Sequence, residues 1–125
     1  MLHIIYIGFG GFIGAVSRYL VSRYINNLIP SFPFGTLGVN LIGSFILGFI
    51  VYSVSLGKNI SPDIRDFITI GILGGFTTMS TFAYESFRLF ELNQMMLFVL
   101  NMVLNLVLCI AAIYAGKELA IFVTK

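Results

Sequence analysis

The chain has 125 residues, of which 58% are hydrophobic and only 10% are charged, and its mean hydropathy is +1.01. Soluble domains carry about 25% charged residues, so this composition indicates a protein that lies in a lipid bilayer. The charges leave four uncharged runs, at 1–17, 24–57, 67–84 and 92–116. A helix needs about 20 residues to cross a bilayer, so the runs predict four transmembrane helices. Little chain is left for an extramembrane domain, which excludes most enzymes.

The charged and special residues exclude several other classes of protein. Seven basic and five acidic residues give a net charge of +2, without a basic cluster dense enough for nucleic-acid binding. The one cysteine, Cys109, cannot form an intramolecular disulfide, and the single His3 completes no metal-ligand cluster. We therefore expect a lipid bilayer around this chain and no nucleic-acid partner.

Local signals set the helix boundaries inside one transmembrane domain that covers residues 1–125. Pro30 and Pro33 end the first helix, and Ser61 followed by Pro62 is typical of the start of the third. The predicted helices are 4–28, 34–56, 63–92 and 94–123. Because their connections are short, we expect consecutive helices to be antiparallel neighbours.

Two features bear on how these helices pack and insert. Glycines four residues apart, Gly10 with Gly14 and Gly71 with Gly75, allow helices to approach closely in lipid. The membrane face with the termini carries four basic residues, and the other face carries two or three. Under the positive-inside rule this near balance permits insertion in either orientation.

Polar residues at membrane depth cost free energy unless they have partners, so they are the candidate functional residues. Arg18 lies about two-thirds along the first helix. Its side chain has three possible roles, which are to extend to the membrane interface, to attract anions or to fix helix ends. Asn40 follows Thr36 by one turn, so both share a helix face and offer either an interhelical hydrogen bond or a polar site. Glu85 is the only acid near membrane depth, and we expect it to pair with Arg88.

The fourth helix carries a polar stripe. Asn101, Asn105 and Cys109 follow one another at intervals of four residues, which places them on one helix face. We expect this face to meet protein or water rather than lipid. Amide N–H groups without a fixed positive charge suit a desolvated anion, although an amide also offers a carbonyl oxygen.

The third helix contains the strongest local anomaly, at residues 71–82. Three glycines are followed by four Ser or Thr residues in five positions, and both residue types weaken a helix. We predict a break between Gly74 and Met79, with a simple kink as the alternative. Carbonyl oxygens freed by a break are ligands for a hard cation such as Na⁺.

Three sequence motifs occur in order along the chain. They are GGFIGAVSRY at 10–19, GTLGVN at 35–40 and GGFTTMSTF at 74–82. With these motifs the chain resembles the CrcB/Fluc family of small membrane fluoride channels over nearly its whole length. The resemblance implies an antiparallel, dual-topology dimer with two fluoride pores. It also implies a Na⁺ ion on the two-fold axis, held by the backbone carbonyls of Gly74 and Thr77.

The same resemblance implies roles for individual side chains. Arg18 matches an arginine near the aqueous vestibule, where it attracts anions. The implied pore residues are Thr36, Asn40, Met79, Ser80, Phe82, Asn101, Asn105 and Cys109. We expect these residues to replace part of the water around fluoride.

Two positions depart from the family pattern. Met79 stands where the family has its first pore phenylalanine, and Ala83 stands where a small hydroxyl residue often follows the second. Methionine is polarizable but lacks the positive ring edge that phenylalanine offers to an anion. Two questions stay open, namely how position 79 coordinates fluoride and whether the subunit pairs with itself or with a non-identical partner.

The function that follows from this resemblance is passive, fluoride-selective conduction that exports fluoride from a bacterial cytoplasm across the inner membrane. A small proton-coupled multidrug exporter is a compact four-helix alternative. It needs an embedded carboxylate in the first helix, and the first helix here has no acid. A non-transporting assembly subunit is a third reading, in which the polar residues only join helices.

Overall fold

The computed structural model describes residues 1–125, and all of its regular secondary structure is helical. The helices are α1 (Leu2–Leu28), α2 (Phe34–Ser55), α3 (62–76), α4 (Met79–Glu91) and α5 (Met95–Thr124). Four segments are long and apolar enough to cross a membrane, and the third, Pro62–Glu91, combines α3 and α4. The prediction of four transmembrane helices in an all-α protein is confirmed.

Capping residues define several of the helix ends. The N–H of Ile64 donates to Ser61 Oγ over 3.3 Å, and Pro62 occupies the first turn of α3 as predicted. Pro33 directly precedes α2. Asn93 has a φ of 59° in the turn between α4 and α5, a left-handed conformation that asparagine tolerates. These short turns hold the spans next to one another.

The third span is broken where the sequence predicts a break. Thr77 has φ −90° and ψ 158°, and Thr78 has φ −151° and ψ 123°, so two extended residues separate α3 from α4. The alternative of a simple kink is wrong. The sequence did not indicate that Phe67–Ile72 within α3 is π-helical, a conformation frequent at functional sites.

Glycines on α1 and α3 bring these two helices into backbone contact. A Cβ built at Gly10 would lie 2.6 Å from the Phe67 carbonyl oxygen, and one at Gly75 would lie 2.7 Å from that of Gly11. A Cβ at Gly14 would collide with the Ile72 backbone. We call these contacts the glycine seam, formed by Gly10, Gly14, Gly71 and Gly75. The seam confirms the predicted close packing of the two glycine pairs.

The second half of the bundle packs differently, and most of the surface is apolar. Helix α2 packs along α5, and α4 also packs against α5 rather than α1. Only 20 of the 125 residues are buried in the single chain. Large side chains such as Phe122, 76% exposed, and Met96, 82% exposed, point outward. Such a surface is stable against lipid or a second subunit but not against water.

Candidate functional site

A cavity of about 650 Å³ opens between α2, the break and α5. Asn40 of α2 lines it, together with Asn105 and Cys109 of α5. Met79 and Phe82 line it from the first turn of α4. The fold therefore brings five of the eight predicted pore residues to one cavity, with few polar groups in a mostly apolar lining.

The other three predicted pore residues lie outside this lining. Thr36 and Asn101 are buried, at 3% and 1% exposure. Ser80 is exposed at the start of α4, with its Oγ 3.5 Å from Thr78 Oγ1. Within the single chain, Asn101 therefore stands behind the cavity rather than in it.

Asn40 binds α2 to the break through two hydrogen bonds with Thr78. The Thr78 N–H donates to Asn40 Oδ1 over 2.8 Å, and Asn40 Nδ2 donates to the Thr78 carbonyl over 3.2 Å. Asn40 Nδ2 also donates to Asn105 Oδ1 over 3.2 Å. The extended backbone has left its helical hydrogen bonds, and the amide of Asn40 replaces them at Thr78.

The hydrogen bonds continue from Asn105 away from the cavity. Asn105 Nδ2 donates to the backbone oxygen of Asn101 over 2.9 Å and to its Oδ1 over 3.1 Å. Asn101 Nδ2 donates to Ser86 Oγ on α4 over 2.9 Å. We call this series the amide chain, formed by Asn40, Asn105, Asn101 and Ser86. Two residues of the predicted polar stripe, Asn101 and Asn105, therefore face protein.

Arg18 contacts the break and does not line the cavity. Its Nε donates to the Gly75 carbonyl oxygen over 2.9 Å, across the contact between α1 and α3. Gly75 lies in the last turn of α3, where carbonyls lack helical partners and the helix dipole is negative. Of the interpretations of Arg18, fixing a helix end is the one that the structure shows.

The remaining carbonyls at the break suit a hard cation. The Leu73 oxygen accepts from both the N–H and the Oγ1 of Thr77, at 3.0 and 2.9 Å. The Thr78 N–H, which would reach back to Gly74 in a continuous helix, is bound to Asn40 instead. Gly74 is an exposed residue, and the Thr78 N–H does not occupy its carbonyl oxygen. Neutral oxygens are ligands that Na⁺ accepts, and the residues present fit such an ion.

The predicted ion pair between Glu85 and Arg88 does not form. Arg88 Nη1 instead lies 3.9 Å from Glu91 Oε1, and both side chains are exposed. Glu85 turns inward, and its Oε1 is buried without a hydrogen-bond partner. Both residues line a second cavity of about 430 Å³, next to the turn between α1 and α2.

Two residues of the site were not predicted from the sequence. Thr78 caps α4, because the Thr81 N–H donates to Thr78 Oγ1 over 3.2 Å. A threonine directly before a helix start is a recognisable capping signal. Because this motif has several neighbouring Ser and Thr residues, the sequence did not show which of them is the cap. Ser86 is 5% exposed and carries no comparable signal, since its partner Asn101 is on another helix.

Comparison with known proteins assigns the chain to a family. Residues 5–117 match the model of the CrcB-like protein family, described as Camphor Resistance (CrcB). The chain belongs to the CrcB family. The match contains every site residue named above, from Arg18 to Cys109.

Individual members of the CrcB family cover almost the whole chain. The protein named fluoride-specific ion channel FluC 1 of Methanosarcina acetivorans is 48% identical, over 94% of this chain and 89% of its own length. FluC 3 of Methanosarcina barkeri is 47% identical, over 100% and 95%. FluC of Campylobacter lari is 43% identical, over 90% and 93%.

Proposed function

We propose that this chain is a subunit of a fluoride-selective ion channel, which conducts fluoride passively across the membrane. The relatives named for this activity match at 43–48% identity over nine-tenths or more of the chain. The observation that carries the proposal is the cavity in which two asparagine amides meet a broken transmembrane helix. The protein is a multi-pass membrane channel and not an enzyme, since conduction makes and breaks no covalent bond.

Fluoride is small and strongly hydrated, so a pore must replace its water with good donors. The amide of Asn40 supplies N–H groups without a fixed charge that would trap the ion, and Asn105 lines the same cavity beside it. Phe82 supplies the positive edge of a ring, and Met79 supplies weaker C–H donors in the same cavity. The proposed pore residues are Thr36, Asn40, Met79, Ser80, Phe82, Asn101, Asn105 and Cys109.

We further propose that two subunits pair in opposite orientations. The single chain buries few residues, and Met79 is 75% exposed beside the cavity, where a second subunit would cover it. Near balance of basic residues permits both orientations. A homodimer is the simplest assembly, and a heterodimer with a related subunit would supply the phenylalanine that position 79 lacks.

A Na⁺ ion at the break is part of the same proposal. The backbone carbonyls of Gly74 and Thr77 would hold it, and the bound ion would supply positive charge that joins two subunits. Arg18 serves this arrangement by binding the neighbouring Gly75 carbonyl, which fixes the end of α3 beside the proposed ion. Its positive charge also attracts anions toward the membrane. We place the protein in the plasma membrane, which is the inner membrane of a bacterium with two, where it lowers cytoplasmic fluoride.

The decisive test is fluoride efflux from liposomes that contain the purified protein, compared with empty liposomes and with chloride as the second anion. We expect fluoride efflux well above the empty control and little chloride efflux. Asn40→Leu should abolish flux while the dimer survives, whereas an assembly subunit would lose its dimer first. Wild-type liposomes that release no fluoride would refute the proposal.

Met79→Phe addresses the departure from the family pattern in the same assay. A restored ring should raise fluoride flux or selectivity against chloride, because the ring edge is the better donor. Phe82→Met is the matched variant, since it removes the ring that the wild type has at position 82. It should lower both the fluoride flux and the selectivity against chloride. Equal flux and selectivity in all three proteins would show that neither ring contributes.

A further inference from the structure

Each hydrogen bond of the amide chain has a defined donor and acceptor. This arrangement decides which group an anion must displace. The Thr78 N–H donates to Asn40 Oδ1, so the Asn40 amide cannot turn round without losing that bond. Both remaining bonds of Asn40 are donations from Nδ2, to the Thr78 carbonyl and to Asn105 Oδ1. An anion that binds an N–H of Asn40 therefore competes with one of these two oxygens.

The two competing oxygens differ in how firmly they are held. The Thr78 carbonyl belongs to backbone between α3 and α4, whereas the Asn105 carbonyl belongs to a side chain that can rotate. Rotation of Asn105 is opposed by its two donations to Asn101. Asn101 is held in turn by its donation to Ser86 Oγ. Neither Asn101 nor Ser86 lines the cavity, and both are at least 95% buried.

We propose that Ser86 and Asn101 are positioning residues that set the fluoride concentration at which the channel binds its ion. They hold the Asn105 carbonyl against Asn40, and fluoride must displace it. Each donated hydrogen bond polarises the amide that donates it. Asn105 therefore accepts more strongly while its N–H groups are held by Asn101, whose own N–H is held by Ser86. The inference rests on the proposed function and adds a positioning role for two residues that do not line the cavity.

The first test removes the end of the amide chain. In Ser86→Ala, Asn105 competes less well with fluoride, so half-maximal flux should occur at a lower fluoride concentration. A hydrogen bond of ordinary strength changes an equilibrium about two- to tenfold, which is the expected shift. Maximal flux should fall, because a more tightly bound ion leaves more slowly. The measurement is liposome efflux over a series of fluoride concentrations.

Ser53 provides a matched control. It is 4% exposed, and its Oγ has no hydrogen-bond partner. Ser53→Ala therefore removes a buried hydroxyl of the same kind without touching the amide chain, and its fluoride dependence should equal that of the wild type. A shift as large as that of Ser86→Ala would overturn the proposal, since any buried serine would then have the effect.

A second variant tests whether the two residues act as one unit. Asn101→Leu keeps the backbone oxygen that Asn105 uses but removes Oδ1 and the donation to Ser86. We expect the same direction of shift as in Ser86→Ala, and no further shift in the double variant. Additive shifts, or no shift in either folded single variant, would overturn the proposal.

A measurement on the wild type covers the case in which these variants do not fold. Side-chain amide signals of ¹⁵N-labelled asparagine should respond to fluoride at Asn101 as well as at Asn40 and Asn105, because the displacement passes along the chain. An Asn101 signal that stays fixed while Asn105 moves would overturn the proposal. Absence of wild-type fluoride flux refutes the proposed function, whereas normal flux with unshifted variants refutes only this inference.

Discussion

The broken third span packs against its neighbours in two different ways, through glycines on one side and through polar side chains on the other. On one side, the glycine seam joins α3 to α1 by removing side chains until the backbones touch. On the other side, the amide chain joins α2, α4 and α5 by adding polar side chains in an apolar bundle. The seam is specified by shape alone, and the amide chain is specified by the direction of each donor.

The two sides meet at the break, where each contributes one polar side chain. Arg18 of α1 donates to the Gly75 carbonyl before the break, and Asn40 of α2 binds Thr78 after it. Unpaired backbone groups in lipid cost several kcal/mol each. A break at this depth therefore needs partners from both sides. The comparison predicts that seam substitutions affect stability first, whereas amide substitutions affect conduction first.

The largest expected effect is at the centre of the seam. Gly14→Ala places a methyl group against the Ile72 backbone, which cannot move aside as a flexible side chain would. We expect a loss of about 3 kcal/mol in the free energy of unfolding, at the upper end for an overpacked core. Unfolding in a denaturing detergent series measures it.

Gly8→Ala is the control on the same helix. A Cβ at Gly8 would meet nothing within 4 Å, so the substitution should be neutral or slightly stabilising through helix propensity. Equal stability of the Gly14 and Gly8 variants would show that the seam is not a tight contact.

The seam was also the part of the fold that the sequence predicted best. Small residues four apart on two helices indicate that the helices approach closely, and this signal depends on spacing alone. The broken helix was predictable for a related reason, since glycines and hydroxyl residues both disfavour a helix at one place. The π-helical stretch Phe67–Ile72 was not predictable, because its residues FITIGI would also suit an ordinary apolar helix.

The second expected effect is at the charged contact between the two sides. Arg18→Gln removes the donation from Nε to the Gly75 oxygen and the positive charge at the end of α3. A hydrogen bond from a charged donor is worth about 2 kcal/mol, and we expect a loss of that size in the free energy of unfolding. The same detergent series measures it.

Arg23→Gln is the control for charge on α1. Arg23 is exposed and lies over the Tyr19 ring, 5.7 Å from its centroid. We expect a change within about 0.5 kcal/mol, as for most exposed substitutions. A loss at Arg23 equal to that at Arg18 would mean that net charge, rather than the contact with Gly75, stabilises the break.

A smaller effect is expected at the cap of α4. Thr78→Val removes the Oγ1 that accepts from the Thr81 N–H while keeping the shape of the side chain. The loss should be about 1 kcal/mol, and Thr78→Ser should retain most of the stability. Thermal unfolding of the three proteins checks the order. A serine variant as unstable as the valine variant would assign the effect to packing rather than to capping.

The functional site was less predictable than the fold, and for a physical reason. Asn40, Asn105 and Cys109 could be recognised because polar residues are costly in lipid, and this cost does not depend on where their partners lie. Whether such a residue faces the cavity or stands behind it depends on contacts between helices. Asn101 illustrates the difference, since it shares a stripe with Asn105 but is bound to Ser86 of α4.

Gly74 lies between the two seam glycines Gly71 and Gly75 in the sequence and yet does not belong to the seam. A Cβ at Gly74 would meet only the Thr69 oxygen, at 3.9 Å, whereas one at Gly71 would lie 2.8 Å from the Ile7 oxygen. Gly74→Ala should therefore change the free energy of unfolding of the single subunit by less than about 1 kcal/mol, whereas Gly71→Ala should cost more.

The same Gly74 substitution should act on the assembly instead. If the Gly74 carbonyl meets a cation and a second subunit, an added methyl group there weakens the dimer while each subunit stays folded. Dimer dissociation in detergent, measured in Na⁺ and in a large organic cation, should show a Na⁺-dependent loss in Gly74→Ala and no such dependence in Gly8→Ala. A dimer as stable as the wild type would place the exposed side of the break against lipid, so the absence of a side chain at Gly74 would then serve the helix break alone.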